Sequence, residues 1–319
     1  MLRHLCTDQD RQLAAYGHCL KTAGSEYSGV LVGCGAMLLS TLCFASMHAC
    51  VRYLSADLHP FEIAFFRNLF GVVVLMPLIL RSGGAVFHTT QFHWHSLRAA
   101  FNVVAMLVFF YGLSITPLAT VQALSFSAPL FATLLAVVLL RERVRLRRCV
   151  AIVVGFIGVL IVLRPGVQPL QLGALLVLCS ASIWALTMII IKRLSDVDSP
   201  LTITVYVTIY LTVLSFPFAL YYWVWPQGVQ WLWLLFAGLT GTLGQWCVAK
   251  AFASTETTIV LPIDFAKILW GAALGWWFFA EQVSLYTWVG AVVIFSGATY
   301  VAYREHQLEK QRNLPEPVA

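Results

Sequence analysis

A run of about twenty apolar residues is long enough to cross a bilayer as a helix, and a backbone in hydrocarbon has few other ways to satisfy its polar groups. This chain of 319 residues has ten apolar runs, most of about that length, near 29–54, 60–80, 97–115, 119–140, 149–163, 172–191, 201–225, 231–252, 259–279 and 286–303. Short links join them, which leaves no room for a soluble domain. Hydrophobic residues make up 60% of the chain and charged residues 11%, which excludes an ordinary water-soluble fold. The expected fold class is therefore all-α integral membrane, with ten transmembrane helices and the lipid bilayer as partner.

Loop charge sets the expected orientation. Arg141, Arg143, Arg145, Arg147 and Arg148 crowd the link between spans four and five, and Lys192 and Arg193 end span six. Arg3, Arg11 and Lys21 precede span one, and Arg304, Lys310 and Arg312 follow span ten. Ten crossings place all of these on one side, which the positive-inside rule makes the cytoplasm. Both termini are then cytoplasmic, in a multi-pass protein of the cell inner membrane. The net charge of +6 has this topological meaning and does not point to nucleic acid. Six of the eight cysteines lie inside apolar runs without C-x-x-C spacing, so neither a disulfide framework nor a zinc site is indicated. His88, His93 and His95 cluster without a cysteine or carboxylate nearby, and no metal or other cofactor is expected.

The two halves of the chain repeat. Pro60 and Pro200 lie 140 residues apart, as do Pro77 and Pro217, and Ala45 and Ala185. After a slip of one, Thr116/Thr255, Val121/Val260, Phe126/Phe265, Leu135/Leu274, Glu142/Glu281, Val144/Val283, Phe156/Phe295 and Gly158/Gly297 all lie 139 apart. Apolar composition alone does not produce such a register. Each unit holds five spans, an odd number, so the copies are inverted in the membrane. This predicts a tail over 1–28, repeats over 29–165 and 166–303, and a second tail, frayed in solution, over 304–319. Inverted repeats are a mark of secondary carriers, whose site lies at the repeat interface.

Span nine holds the most expensive residues. Asp264 and Lys267 lie seven and ten residues past Thr257, about 10–15 Å into the membrane. Each would cost about 2.5–3.5 kcal/mol on a lipid-facing helix centre, so both are expected to face the interior. Three apart, they share a face and can neutralise each other. Pro262 just before them loosens the helix. They are the first candidates for cargo contact or for coupling to a proton or ion; the bland alternative is a self-satisfied pair tying span nine to a neighbour. Their counterparts in the first repeat are Ser125 and Ala128, so span four offers a hydroxyl where span nine offers charge.

Other polar residues are weaker candidates. Arg67 and Asn68 read as anchors within span two. Arg98 and Asn102 share a face of span three, with Asn102 as a cavity candidate. His48 and Arg52, four apart near the outer end of span one, are candidates for gating; the alternative is a merely solvated histidine. Tyr111, Gln122, Trp184, Tyr206, Gln245 and Trp246 offer stacking and hydrogen bonds to an aromatic or cationic cargo, against the alternative of interfacial belts and helix packing. Glu142 and Glu281 read as caps for the helices that follow them.

Three phrases carry a family resemblance: HPFEIAFFRNLFG at 59–71, SAPLFATLLAVVLLRERV at 127–144 and LPIDFAKILWGAALGWWFFAEQVS at 261–284. With the ten-span repeat, the chain resembles the drug/metabolite transporter superfamily in its form with two EamA-type halves. The phrases look most like the branch that includes carriers of S-adenosylmethionine and riboflavin. The resemblance implies a central cavity lined by spans one, three, four, six, eight and nine, worked by alternating access. Half-size relatives that exchange drugs for protons use a glutamate in span one, whereas this chain has no carboxylate between Gly29 and Ser55. That coupling mechanism is not carried over. The expected function is transport of a small polar metabolite: an amino-acid derivative, a nucleoside-like compound or a vitamin-like one. A channel is the alternative, although a pore would repeat its selectivity residues in both halves. An intramembrane enzyme is disfavoured by the lack of a G-x-S-x-G elbow, an H-E-x-x-H motif or paired carboxylates. Substrate identity, direction, coupling ion, and monomer versus homodimer are not written in the sequence.

Overall fold

The computed structural model describes residues 30–140, 146–165, 171–195, 197–254 and 263–312. The N-terminal tail, Glu142 and its arginine neighbours, Thr257 and Pro262 lie outside the described residues.

The membrane elements are all helices. Span one is α1 (Val30–Leu54); spans two and three are α2 (Pro60–Arg81) and α3 (Phe92–Ser114). Span four is two helices, α4 (Leu118–Ser125) and α5 (Ala128–Leu140). Spans five to eight are α6 (Leu146–Leu163), α7 (Leu172–Ser195), α8 (Pro200–Tyr221) and α9 (Gln230–Ser254). Span nine contributes α10 (Ala266–Phe279) and span ten α11 (Leu285–Arg312). α1, α2, α3 and the stretch Leu201–Tyr221 within α8 are each long and apolar enough to cross a membrane. The helix of span ten continues through Arg312, so the frayed tail expected from residue 304 is corrected over 304–312.

The second span of each repeat starts with the same device. His59 caps α2, its Nδ1 accepting from the Phe61 amide at 3.3 Å, and Pro60 takes the first helical position. Ser199 caps α8, its Oγ accepting from the Thr202 amide at 3.1 Å, with Pro200 next. A proline there fits because its missing N–H would be an orphan donor anyway.

Packing follows the repeat. α2 lies against α8, α6 against α11, and α4 against α10, each pair joining equivalent spans. The swapped pairs match too: α2 on α9 mirrors α8 on α3. α3 on α7 mirrors α9 on α1, where Ser40 Oγ donates to the Gly244 carbonyl at 3.0 Å. Small residues permit the closest crossings, since helices in lipid associate by close packing more than by apolar burial. At the α6–α11 crossing, a Cβ on Gly158 would stand 2.7 Å from the Ile294 amide nitrogen and 2.9 Å from the Gly290 carbonyl oxygen. A Cβ on Gly297 would stand 2.9 Å from the Ala151 carbonyl oxygen.

The interruptions in spans four and nine are the feature that positions the site. α4 stops at Ser125 and the chain turns through Phe126 and Ser127 before α5. The uninterrupted helix expected over 119–140 is corrected accordingly. Pro129 has no N–H to return to the Ser125 carbonyl, so a continuous helix would lose that bond. In span nine a short helical segment at 263–264 turns at Phe265 before α10. Phe126 and Phe265, equivalent in the repeat, mark the two interruptions and meet with ring centroids 5.7 Å apart. Phe295 packs on both, at 6.1 and 4.5 Å.

Candidate functional site

α1 presents one stripe to the interior, with residues four apart on a common face. Ser40, Phe44, His48 and Arg52 form it, and between them they touch α3, α4, α9 and α10. Beside Ser40, Thr41 Oγ1 accepts from Trp270 Nε1 of α10 at 3.2 Å. The Phe44 ring lies 5.3 Å from Lys267 Nζ and stacks toward His48 at 6.3 Å. His48 meets Phe109 of α3 at 5.0 Å, and Gln122 Nε2 of α4 approaches its Nδ1 at 3.0 Å. The amide donates in that bond, so the ring accepts at Nδ1.

Opposite this stripe, Lys267 Nζ pairs with Asp264 Oδ1 at 2.5 Å, each side chain about one-fifth exposed. Asp264 sits beside the turn at Phe265, where α10 begins without a side-chain cap. Phe44, His48, Asp264, Lys267 and Trp270 are all half-buried, and all but Asp264 meet a residue of another helix. Gln122 is buried, and Gly271 makes room for it: a Cβ at 271 would lie 2.8 Å from Gln122 Cγ. The result is an acid, a base, an imidazole and an amide among aromatic faces, at the level where two helices are interrupted. Such a surface can take hydrogen bonds, both signs of charge and a flat ring.

Arg67 is buried at the edge of this centre. Its Nη1 donates to Asn68 Oδ1 at 2.8 Å, and its guanidinium lies flat on α9, where a Cβ at Gly241 would stand 2.7 Å from it. Gly241→Leu is accordingly expected to displace Arg67 and to lower the thermal midpoint of the purified protein by several degrees, read by differential scanning fluorimetry.

The remaining candidates scatter. Ser125, half-buried, turns its hydroxyl back to the Val121 carbonyl at 2.7 Å. Asn102 is buried in α3 and Trp184 half-buried in α7. Gln245 is half-buried, and its neighbour Trp246 is exposed, with Lys250 Nζ 5.0 Å from its ring. Tyr111 lies with His59 and Phe61 near the end of the bundle that carries Arg52. Tyr206 lies at the opposite end: its hydroxyl donates to the Phe87 carbonyl at 2.8 Å and its ring stacks on His95 at 4.6 Å. His95 pairs there with Asp198 at 2.8 Å, while His88 and His93 are exposed. Sequence reasoning missed Phe44, Phe109, Thr41 and Trp270, which look like any apolar span residue. Only Phe44 carried a signal, its four-residue spacing from His48 on α1.

Arg52 is paired with Glu281 at 2.6 Å. Glu281 also accepts from the Leu118 amide at 2.8 Å. It therefore caps α4 of the other repeat, and the expectation that it caps the helix following it is corrected.

Comparison with known proteins agrees with this architecture. The profile of the EamA-like transporter family matches residues 31–164 and again 171–303. The chain is 31% identical to an S-adenosylmethionine uptake transporter of Rickettsia felis, over 89% of this chain and 96% of that protein. It is 32% identical to a riboflavin transporter of Vibrio cholerae, over 87% and 95%. One crystal structure of a protein superposes with a TM-score of 0.58 at 20% identity, covering 89% of this chain and 99% of the other, a likeness of fold alone. With an all-helical multi-pass fold, two packed repeats and a family match over both, the chain belongs to the EamA-like transporter family and is a transporter, not an enzyme.

Proposed function

We propose that this protein is a secondary carrier that moves a small polar organic metabolite across the inner membrane by alternating access. Asp264 and Lys267 are the principal cargo contacts, and Gln122 and His48 complete the site. The observation that carries this reading is the Asp264–Lys267 pair beside the interruption of span nine, with Lys267 Nζ 5.3 Å from the Phe44 ring of α1. A carrier holds its cargo at such interrupted helices near the midplane. An acid and a base side by side suit a zwitterion, and the surrounding rings suit a flat heterocycle. Amino-acid derivatives that carry a heterocycle combine both features, nucleoside-like and vitamin-like compounds offer the flat ring with polar groups, and the relatives named for S-adenosylmethionine and riboflavin support this range. The arginine-rich link after span four supports an orientation with the His95 end in the cytoplasm and the Arg52 end outside. Asp264 and Lys267 are also the groups best placed for coupling to a proton or ion.

The test is a thermal-shift screen of the purified protein against S-adenosylmethionine, riboflavin and a panel of related zwitterions. A ligand present at one hundred times its Kd is expected to stabilise the folded state by about 2.7 kcal/mol. Asp264→Asn should lose the shift. A panel in which no polar heterocycle or zwitterion moves the midpoint contradicts the reading.

A further inference from the structure

We propose that Arg52 and Glu281 form the gate that closes the outer end of this carrier, and that the conformation described here is the outward-closed one. The inference rests on the transport reading above but uses residues outside the cargo site.

The clamp joins the two repeats. Arg52 belongs to α1, and Glu281 lies just beyond α10, where Ala280 takes a left-handed conformation that turns the chain back. Each partner is anchored a second time. Arg52 Nη1 donates to the Thr116 carbonyl and, at 3.4 Å, to that of Leu113, both at the end of α3. Its guanidinium also lies 5.3 Å from the Phe279 ring. The second oxygen of Glu281 accepts from the Leu118 amide. α4 has no side-chain cap of its own at Pro117, so this carboxylate satisfies an orphan donor and meets the positive end of the helix dipole. Gly275 leaves space for it: a Cβ there would stand 3.0 Å from Glu281 Oε2. One charge pair thereby holds α1, the end of α3, the start of α4 and the end of α10 together.

Its placement links it to the cargo cluster. On α1, Arg52 is one turn from His48; on α4, Leu118 is one turn from Gln122. On α10, Gly271, which packs on Gln122, is one turn from Gly275, which packs on Glu281. Three helices each carry a gate group and a cluster group four residues apart, about 6 Å along the axis. Tilting these helices to admit water from outside must separate Arg52 from Glu281. A change in the central cluster is transmitted to the gate by rigid turns of helix. A permanent staple would be made of the same atoms, but it would not open during the cycle.

The experiment reads accessibility and needs no cargo. In a background with the native cysteines replaced, Phe109→Cys places one thiol beside His48, behind the clamp. Right-side-out vesicles are treated with a membrane-impermeant maleimide. The parent should react slowly, and both Glu281→Gln and Arg52→Lys should speed labelling from outside by about tenfold, because each weakens the closed state selectively. Arg52→Lys keeps the charge and carries the test should Glu281→Gln fail to fold. Fast labelling in the parent, or unchanged rates in the folded variants, overturns the gate. A failed cargo screen alongside accelerated labelling would instead remove the cargo assignment and leave the gate standing.

Discussion

Asp264→Asn is expected to reduce transport about a hundredfold while the protein still inserts and folds. In this variant Lys267, about one-fifth exposed and 5.3 Å from the Phe44 ring, loses its carboxylate partner. Removing one partner of a buried pair typically destabilises the fold by about 3–5 kcal/mol, largely because the other charge is stranded; the partial exposure of this pair puts the loss of stability at the lower end, separate from the loss of flux. Were the pair only a joint between helices, neutralising both members would cure the defect. The double variant Asp264→Asn with Lys267→Met should therefore recover thermal stability without recovering flux. Initial uptake rates in proteoliposomes, normalised to folded protein, decide the matter. Wild-type flux in the single variant would remove Asp264 from the mechanism.

The second large effect is structural. Gly158→Leu should prevent stable assembly of the protein, because its side chain has no free volume at the α6–α11 crossing. The Cβ alone would already press on the Ile294 amide nitrogen at 2.7 Å, and backbone cannot move aside as a flexible side chain can. Overpacking of well-packed interiors costs about 1–3 kcal/mol even for added methylenes, and a full leucine must separate two helices. Gly158→Ala should fold with a lowered thermal midpoint. Gel-filtration profiles of fluorescently tagged protein will separate these outcomes: a monodisperse peak of normal height for Gly158→Leu would contradict the packing described here. Leu substituted at Gly35, where a Cβ meets nothing within 4 Å, is the control.

The spans and the repeat were legible because hydropathy and spacing are properties of the chain read in one direction. The offset of 139 that pairs Phe126 with Phe265 and Phe156 with Phe295 is visible in the letters; Phe126, Phe265 and Phe295 do gather around the two interruptions, while Phe156 packs on Phe131. The interruption of span four was less legible, because an apolar run carries no mark of where its helix unwinds. Pro129 was the available clue, and it acts one turn back, at Ser125, rather than at its own position.

Side-chain partnerships across the repeats were not legible at all. Arg52 and Glu281 sit in different halves, and nothing in either local sequence names the other. Local reading assigned Glu281 to the helix that follows it, whereas the fold brings it to Leu118. Depth within the bundle was equally hidden. Tyr111, Tyr206 and Trp246 share the chemistry expected of a cargo site, yet one lies near the Arg52 end, one near the His95 end, and one on an exposed face. Asp264 and Lys267 were found because charge in a membrane is expensive enough to show above the composition.

Counterflow in proteoliposomes tests the central claim most directly. Vesicles loaded with an excess of unlabelled cargo, selected by the thermal-shift screen, are diluted into a trace of labelled cargo. A carrier whose two five-helix repeats alternately expose one charged centre must draw label in transiently above its equilibrium level, and the uptake must saturate. Label that rises to equilibrium without an overshoot, at a rate linear in concentration and indifferent to internal cargo, would show an open path through the bundle and contradict the account.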